Sequence, residues 1–387
     1  MTGSDPTRRY APKPNLVERQ AAGYLKRRRQ DTHAGDDRGT GDDQKGHGAS
    51  LRRVQHRAVI WAAVAGILSG SVIGGSELLL RMSVPGELEE LGWREQLPYW
   101  AGFFAFAGII SGLEILYLYW NALKSIARVR RIAGSDSEES RHGELVALGL
   151  ARAGLEFPNP RVIIYGIDPY ARLPNWRLTA YSILYRLKVG VTSFALRIIL
   201  RRVFGRMMVR SLIPLFAGPL YAVWNAIITW RIIGEARLRA AGPAAVDRIV
   251  ACMDAEGRRL SDRAVQLILQ GTGELVMRAC DAHPNYVLLL ARLMEDREIE
   301  PRSIKPDWPK HRKELHDLDE AEQQVVLDVL TLASLLGSKL RRPQEEFLRE
   351  LYGECGGTLQ RDALKRLRSK LMDTEPVEAE DLAAVRS

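Results

Sequence analysis

Two stretches of the chain are almost continuously apolar, and each is 23 residues long. The first runs from Ala58 to Leu80 and the second from Pro98 to Trp120, and each contains a single charged residue. At a rise of about 1.5 Å per residue, a helix of this length crosses a hydrocarbon layer of about 30 Å. The pattern therefore predicts two transmembrane helices joined by a short polar loop.

Glycines recur every four residues in both predicted spans. The first span has Gly66, Gly70 and Gly74, and the second has Gly108 and Gly112. Small residues at this spacing let two helix backbones approach closely in lipid. We therefore expect either a tightly packed antiparallel hairpin or homo-oligomerisation through the same glycine faces.

The single charge of each span is a glutamate, Glu77 in the first and Glu114 in the second. Ionisable groups in lipid are costly and often functional, so both are candidates for a proton or cation path. Counted from the span centres, Glu77 lies toward the outer face and Glu114 toward the cytoplasm, so we do not expect them to meet. The structural alternative is that Glu77 reaches the outer interface, while Glu114 bonds a polar group of the bundle or stays protonated.

Charge along the chain is divided unevenly and indicates the orientation of the spans. Residues 1–231 carry a net charge of +13 and residues 232–387 one of −4, and basic residues flank the outer ends of both spans. Since cytoplasmic flanks carry the excess of Lys and Arg, both ends of the hairpin (58–131) are expected in the cytoplasm. The basic arm 1–57 has too few large apolar side chains to fold and is predicted to be disordered, except for a short helix within 15–29.

After the hairpin, the sequence predicts one helix and a connector in the region 144–180. The helix is expected from Glu144 to Leu155, and prolines follow it. Because proline cannot continue a helix, residues 161–166 are predicted to be a short strand or an extended link. The loop up to residue 180 is interpreted as an ordered connector.

The region 181–242 combines basic residues with large apolar ones. The basic residues assigned to anionic lipid headgroups are Arg197, Arg201, Arg202, Arg206 and Arg210. An amphipathic helix at the inner leaflet fits this pattern. Pro214 and Pro219 interrupt the next uncharged stretch, which favours a re-entrant or interfacial hairpin. Two further full spans, 189–205 and 211–233, are the alternative.

From residue 243 onward, apolar residues recur with helical spacing. We expect a helical segment at 243–300, a Pro-rich link, a helical module at 317–373 and a flexible tail at 374–387. Asp319 with Glu322 forms a capping-box pattern at the start of one of these helices. The sequence as a whole therefore predicts an all-α protein with a membrane hairpin, amphipathic or re-entrant helices and a cytoplasmic helical bundle.

Part of this bundle resembles a known family. Residues 332–357 (LASLLGSKLRRPQEEFLRELYGECGG) resemble the TerB-like helical module of tellurite-resistance-associated proteins, in which a short Gly-containing turn joins two helices, and a fainter copy lies at 251–268. The family commonly has an acidic residue before the turn glycine, linked to metal binding, but Leu336 precedes Gly337 here. We therefore expect no metal site. The order of segments also resembles uncharacterised bacterial multi-pass membrane proteins.

The chain carries none of the motifs that would point to catalysis. It has no GxxxxGK[ST], GxSxG or HExxH pattern, and its three cysteines form no CxxC pair. We therefore expect a protein without enzyme activity, cofactor or bound metal. The basic arm is interpreted as a flank of the first span, so nucleic acid is not expected as a partner.

These expectations combine into two hypotheses about function. The first is a non-enzymatic bacterial inner-membrane protein, with both termini in the cytoplasm, that tethers a helical interaction module to the membrane. Its partners would be anionic lipid headgroups, an unidentified cytoplasmic protein and possible further copies of the chain. The alternative is a small oligomeric channel or transporter that uses Glu77 or Glu114.

Overall fold

A computed structural model of the protein describes residues 14–33, 44–83, 92–134, 143–157, 159, 163–174, 176, 213–254, 260–296 and 306–386. Within these ranges every regular element is a helix, and the one β feature is an isolated bridge between Ile164 and Ile167. The prediction of an all-α fold is confirmed for this part of the chain.

The helices vary from a single turn to about 40 residues. The α-helices are α1 (Leu16–His33), α2 (Gln44–Ser83), α3 (Trp93–Ile132), α4 (Gly143–Gly154), α5 (Ile213–Met253), α6 (Asp262–Ala279), α7 (Pro284–Asp296), α8 (Trp308–His311), α9 (Glu320–Ser334), α10 (Arg342–Glu354), α11 (Arg361–Met372) and α12 (Ala379–Arg386). A 3-10 helix, Arg312–Asp317, follows α8.

The chain forms two compact units. One, here called the helical domain, comprises Met1–Arg52, Ile126–Pro174 and Glu235–Ser387. The other, here called the apolar bundle, comprises Arg53–Ser125 and Asn175–Gly234. The long helices α2, α3 and α5 each contribute residues to both units.

The core of the helical domain is built around α6, which is buried along most of its length and packs against α9 and α10. The approach to α9 is close at Gly271, where a Cβ atom would lie only 2.6 Å from a methyl carbon of Leu330. On another side of this core the indole ring of Trp308 lies 5.0 Å from the ring of Phe347. Burial of these apolar side chains supplies the main stabilisation of the unit.

The predicted cap at Asp319 is present, but its partner Glu322 has a different role. The Asp319 side chain accepts a hydrogen bond of 2.8 Å from the backbone N–H of Glu322. The Glu322 carboxylate accepts bonds of 2.7 and 2.9 Å from the backbone N–H and hydroxyl of Ser261, the residue that caps α6. A contact between helices therefore replaces half of the local capping box.

The arm 1–57 was expected to be disordered except for a short helix within 15–29. The structure has helix α1 at that place, and α2 begins at residue 44, inside the part expected to be disordered. Helix α1 starts with a reciprocal cap, because Asn15 and Glu18 exchange bonds of 2.8 and 2.9 Å between side chain and backbone. Glu18 also accepts a 3.0 Å bond from Arg152 of α4. Packing against α4 supplies the buried apolar contacts that the arm lacks by itself.

The predicted flexible tail also differs from the structure. Helix α12 occupies most of it and places Leu382 and Val385 in the core of the helical domain. Lys370 pairs with Asp381 at 2.6 Å. The few apolar residues of this segment are enough for docking because the receiving surface is already folded.

Two further local predictions are corrected. Residues 163–167 form a tight turn closed by the Ile164–Ile167 bridge, with positive φ at Tyr165 and Gly166, rather than a strand. Helix α5 is continuous and passes through Pro219 instead of breaking there. Close packing of α5 against α2, described below, offsets the loss of one backbone hydrogen bond at that proline.

Asp328 on α9 generates a prediction about pH. Burial raises its pKa to about 6, while the charge of Arg386 has a smaller, opposing effect. A carboxyl whose pKa is higher in the folded than in the unfolded state binds its proton more tightly when folded. The free energy of unfolding should therefore fall as the pH rises from about 4 to about 6, by at most roughly 3 kcal/mol at about 1.4 kcal/mol per pH unit.

Thermal unfolding followed by circular dichroism between pH 4 and pH 7 measures this effect. Asp328→Asn should flatten the pH profile, whereas Asp262→Asn, at an exposed position on α6, should leave it unchanged. Identical profiles for the wild-type chain and Asp328→Asn would contradict the prediction.

Candidate functional site

The apolar bundle begins with an antiparallel pair, α2 and α3. Near one end, the side-chain amide of Asn121 donates a 2.9 Å hydrogen bond to the carbonyl oxygen of Ala58. Further along, Ile73 packs with Phe103 and Ala107. The residue numbers rise on α2 as they fall on α3, as the predicted hairpin requires.

The first part of α5 runs antiparallel to α2 in the same way. The Gln55 side chain donates a 2.9 Å hydrogen bond to the carbonyl oxygen of Trp230. A Cβ atom at Gly66 would lie 2.6 Å from the carbonyl of Tyr221, and one at Gly218 would lie 2.8 Å from a serine hydroxyl of α2. Helices α2 and α5 therefore touch backbone to backbone, and this crossing needs glycine on both sides.

The glycines thus have a different partner from the one expected. Gly66 faces α5 rather than α3, and Gly70 and Gly74 are buried on the same helix. Among the described atoms, nothing lies within 4 Å of a Cβ placed at Gly108 or Gly112. The expectation that both glycine sets bring α2 and α3 together is corrected, because the third helix occupies the close crossing.

Glu114 is buried inside the bundle, with 9% of the residue exposed. One oxygen of its carboxylate accepts a 2.6 Å hydrogen bond from the side-chain amide of Asn225 on α5. The same amide lies 3.4 Å from the carbonyl oxygen of Ala62 on α2. Polar groups of all three helices therefore meet at this point. This arrangement agrees with the structural alternative given above, in which Glu114 bonds a polar group of the bundle.

Glu77 lies elsewhere on α2 and pairs with Arg81 at 3.0 Å, one turn further along the same helix. Glu114 lies level with Ala62 through Asn225, and Glu77 is about 22 Å further along α2. The structure therefore does not bring the two glutamates into one site, and the channel or transporter hypothesis stays a prediction.

The outward faces of the apolar bundle are covered with large apolar side chains. They include Ile60, Leu68 and Leu79 on α2, Ile109, Leu113 and Leu116 on α3, and Val223 and Ile227 on α5. Only 17% of the most apolar stretch of α3 is buried. By contrast, no large apolar side chain is exposed in the described ranges of residues 235–386. Soluble proteins rarely expose a continuous apolar surface of this extent.

Aromatic residues mark the two ends of this apolar surface on α3. Tyr99 and Trp120 are both exposed, and 21 residues separate them, or about 32 Å along the helix. By length and composition, two helices of the described chain could cross a membrane, Gly48–Ser83 and Trp93–Ile132. Arg197, Arg201, Arg202, Arg206 and Arg210, the predicted headgroup contacts, lie outside the described residues.

Within the helical domain, one buried carboxylate joins three helices. Asp373, at the end of α11, accepts hydrogen bonds from Arg52 on α2 and Arg237 on α5. A Cβ atom at Gly48 would lie 3.0 Å from the Cβ atom of Asp373, so the backbone of α2 is also close. This ionic contact joins the parts of α2 and α5 that belong to the helical domain to the C-terminal part of the chain.

A second buried polar cluster was not recognised from the sequence. His283 is fully buried, and its Nε2 lies 3.0 Å from the carboxylate of Glu235 on α5, which Arg239 also contacts at 2.9 Å. Burial would raise the pKa of Glu235, but the hydrogen bond and charge of His283 together with the charge of Arg239 lower it well below its usual range. The Nδ1 atom of His283 accepts from the backbone of Asn285 and so caps α7. The cluster is fully bonded internally.

The three cysteines of the helical domain are partly buried. Burial raises the pKa of the thiols of Cys252, Cys280 and Cys355, which keeps them protonated near neutral pH. No group of three or more metal-binding side chains comes together among the residues that the structure describes.

No protein-family model, curated protein or solved structure matches the chain. The TerB-like resemblance of residues 332–357 therefore stays a prediction. The site is therefore characterised by its own geometry, which is an apolar outer surface with polar groups bonded inside.

The close crossing of α2 and α5 predicts a difference between two glycines with the same neighbours in sequence. Gly66→Val should push α5 away from α2, because its Cβ would meet the Tyr221 backbone, and should cost about 2 kcal/mol or more. Gly108→Val, on the open face of α3, should cost less than about 0.5 kcal/mol.

The measurement is the midpoint of thermal unfolding in a mild detergent, followed by circular dichroism. Equal midpoints for Gly66→Val and Gly108→Val would show that α2 and α5 do not cross as described.

Proposed function

We propose that the chain is a non-enzymatic integral membrane protein that holds its helical domain at the cytoplasmic side of the inner membrane. Helices α2 and α3 and the first part of α5 would lie in the bilayer. The observation that carries this proposal is the exposed apolar surface of these three helices between two aromatic levels.

A physical comparison of water with lipid supports the assignment. Exposing one large apolar side chain to water instead of burying it costs about 1.5 to 3 kcal/mol, and the bundle exposes many of them. In lipid this cost disappears. Only the polar groups must then be satisfied inside, as those of Asn121, Asn225 and Glu114 are.

The tethering part of the proposal rests on how the bundle helices continue. Helices α2, α3 and α5 run without a break from the apolar bundle into the helical domain. Arg52 of α2 and Arg237 of α5 are both bound there by Asp373. The three helices belong to both units, so the proposed spans would attach the helical domain to the membrane through the chain itself. Its expected partner is a cytoplasmic protein of unknown identity.

An arginine substitution distinguishes a lipid-facing surface from a water-facing one. Ile109 is 64% exposed and lies about 16 Å along α3 from Trp120, near the middle of the proposed span. Ile109→Arg should cost about 2.5 to 3.5 kcal/mol in lipid and sharply lower the amount of protein recovered from the membrane fraction. In water, an exposed arginine would be harmless.

Leu16→Arg is the matched control, because Leu16 is 69% exposed on α1 of the helical domain. It should leave the membrane-bound yield unchanged, measured by immunoblotting after sodium carbonate extraction. Recovery of the full-length chain or of Ile109→Arg in the soluble fraction, with normal folding, would refute the proposal.

The direction of α5 leads to a further statement about topology. From Trp230 back to Ile213 the helix extends about 26 Å antiparallel to α2, which is close to the thickness of a hydrocarbon core. We infer that α5 begins near the outer face. The first part of α5 then crosses the whole hydrocarbon layer instead of entering and leaving it on one side. This favours two further spans over a re-entrant hairpin.

Cysteine labelling in intact cells tests this topology. In a chain whose three native cysteines are replaced by alanine, Ser211→Cys should react with a membrane-impermeant maleimide before the inner membrane is permeabilised. Arg231→Cys, at the opposite end of the crossing, should react only afterwards. Labelling of Ser211→Cys only after permeabilisation would contradict two further spans and support the re-entrant hairpin.

A further inference from the structure

Three tryptophans lie near one level of the apolar bundle, one on each helix. They are Trp61 on α2, Trp120 on α3 and Trp230 on α5, and each is about half exposed. The bonds from Asn121 to Ala58 and from Gln55 to Trp230 fix the relative heights of the helices. Counted along α2, the three tryptophans fall within about 9 Å of each other.

Three cations lie at the same level. Arg57 is four residues before Trp61, Lys124 is four residues after Trp120, and Arg231 directly follows Trp230. By the same two cross-helix bonds they fall within about one helical turn of one another along α2. These residues, Arg57, Lys124 and Arg231, are called the cationic ring below.

The cationic ring has no acidic partner in the part of the chain that the structure describes. Arg57 and Arg231 are exposed and make no described ion pair, and the described contact of Lys124 is with the ring of Trp120, 4.5 Å from its ammonium nitrogen. The sequence contains no acidic residue in 44–76, 115–132 or 213–234. Positive charge at this level is therefore not neutralised by the neighbouring stretches of the three helices.

We propose that the cationic ring, with Trp61, Trp120 and Trp230, is a binding surface for the headgroups of anionic phospholipids in the inner leaflet. This inference rests on the proposed function, because it requires the bundle to lie in lipid. Tryptophan favours the interface between hydrocarbon and headgroup. A lysine or arginine just beyond that ring reaches the phosphate oxygens, which accept hydrogen bonds from it and carry the opposite charge.

The geometry favours a lipid headgroup over a free phosphate ion. Each of the three cations is on a different helix, and each lies within four residues of an exposed tryptophan in the chain. A phospholipid uses both features, since its acyl chains cover the apolar surface while its headgroup meets the cation. Free phosphate would use the charges alone and gain nothing from the rings.

The test measures the thermal unfolding midpoint of the full-length chain in an uncharged detergent with added lipid. Phosphatidylglycerol should raise the midpoint several times more than the same mole fraction of phosphatidylcholine, and 0.5 M NaCl should reduce the difference. The triple variant Arg57→Gln, Lys124→Gln, Arg231→Gln should lose most of the difference. The matched triple variant Lys26→Gln, Arg27→Gln, Lys310→Gln removes the same charge from exposed positions of the helical domain and should keep it.

A charge-preserving variant and inorganic phosphate serve as two further controls. The charge-preserving variant Arg57→Lys, Lys124→Arg, Arg231→Lys should respond like the wild-type chain, and the Gln variant should have a wild-type midpoint without added lipid, which shows that it folds. Inorganic phosphate at the same concentration should have no effect. An equal rise with both lipids, an equal rise with inorganic phosphate, or a full response of the Gln variant would each overturn the inference.

This failure is distinguishable from failure of the proposed function. If the cationic ring does not bind anionic headgroups, the wild-type chain still stays in the membrane pellet after carbonate extraction. If the chain itself is released into the supernatant, the membrane assignment fails first.

Discussion

Contact with water would be unfavourable along the outer faces of α2, α3 and the first part of α5, because large apolar side chains cover these faces over about 30 Å of helix length. Nothing comparable occurs in the described ranges of residues 235–386. A lipid environment removes this penalty. It also imposes a second requirement, since every polar group within the bundle must then find its partner inside the protein.

In the described part of the bundle, a few side chains give the polar groups their partners inside the protein. The amides of Asn121 and Asn225 bond to backbone carbonyls of α2, and Asn225 also bonds the buried carboxylate of Glu114. At Gly66 the backbones of α2 and α5 touch. Close contact and buried hydrogen bonds hold helices together in lipid, where the hydrophobic effect no longer does. The third helix is therefore part of the packing unit rather than an addition to a hairpin.

The helical domain is held together by ion pairs as well as by its apolar core. Asp373 lies between Arg52 and Arg237, and Glu235 lies between His283 and Arg239. The Asp373 carboxylate is buried, and a buried charge is stable only when it is paired, so the loss of a partner would leave it uncompensated. These contacts join the parts of α2 and α5 that belong to this domain to its C-terminal helices.

The sequence by itself determined the helical class and the two long apolar helices, because periodicity and unbroken apolar runs are local properties. It could not show that α12 folds or that α1 packs against α4, since both depend on surfaces supplied by other parts of the chain. Nor could it assign Gly66 to α5, or join Glu114 to Asn225, which are 111 residues apart in the chain. Only the tertiary structure decides which faces meet, because helical spacing identifies a face but not the helix that covers it.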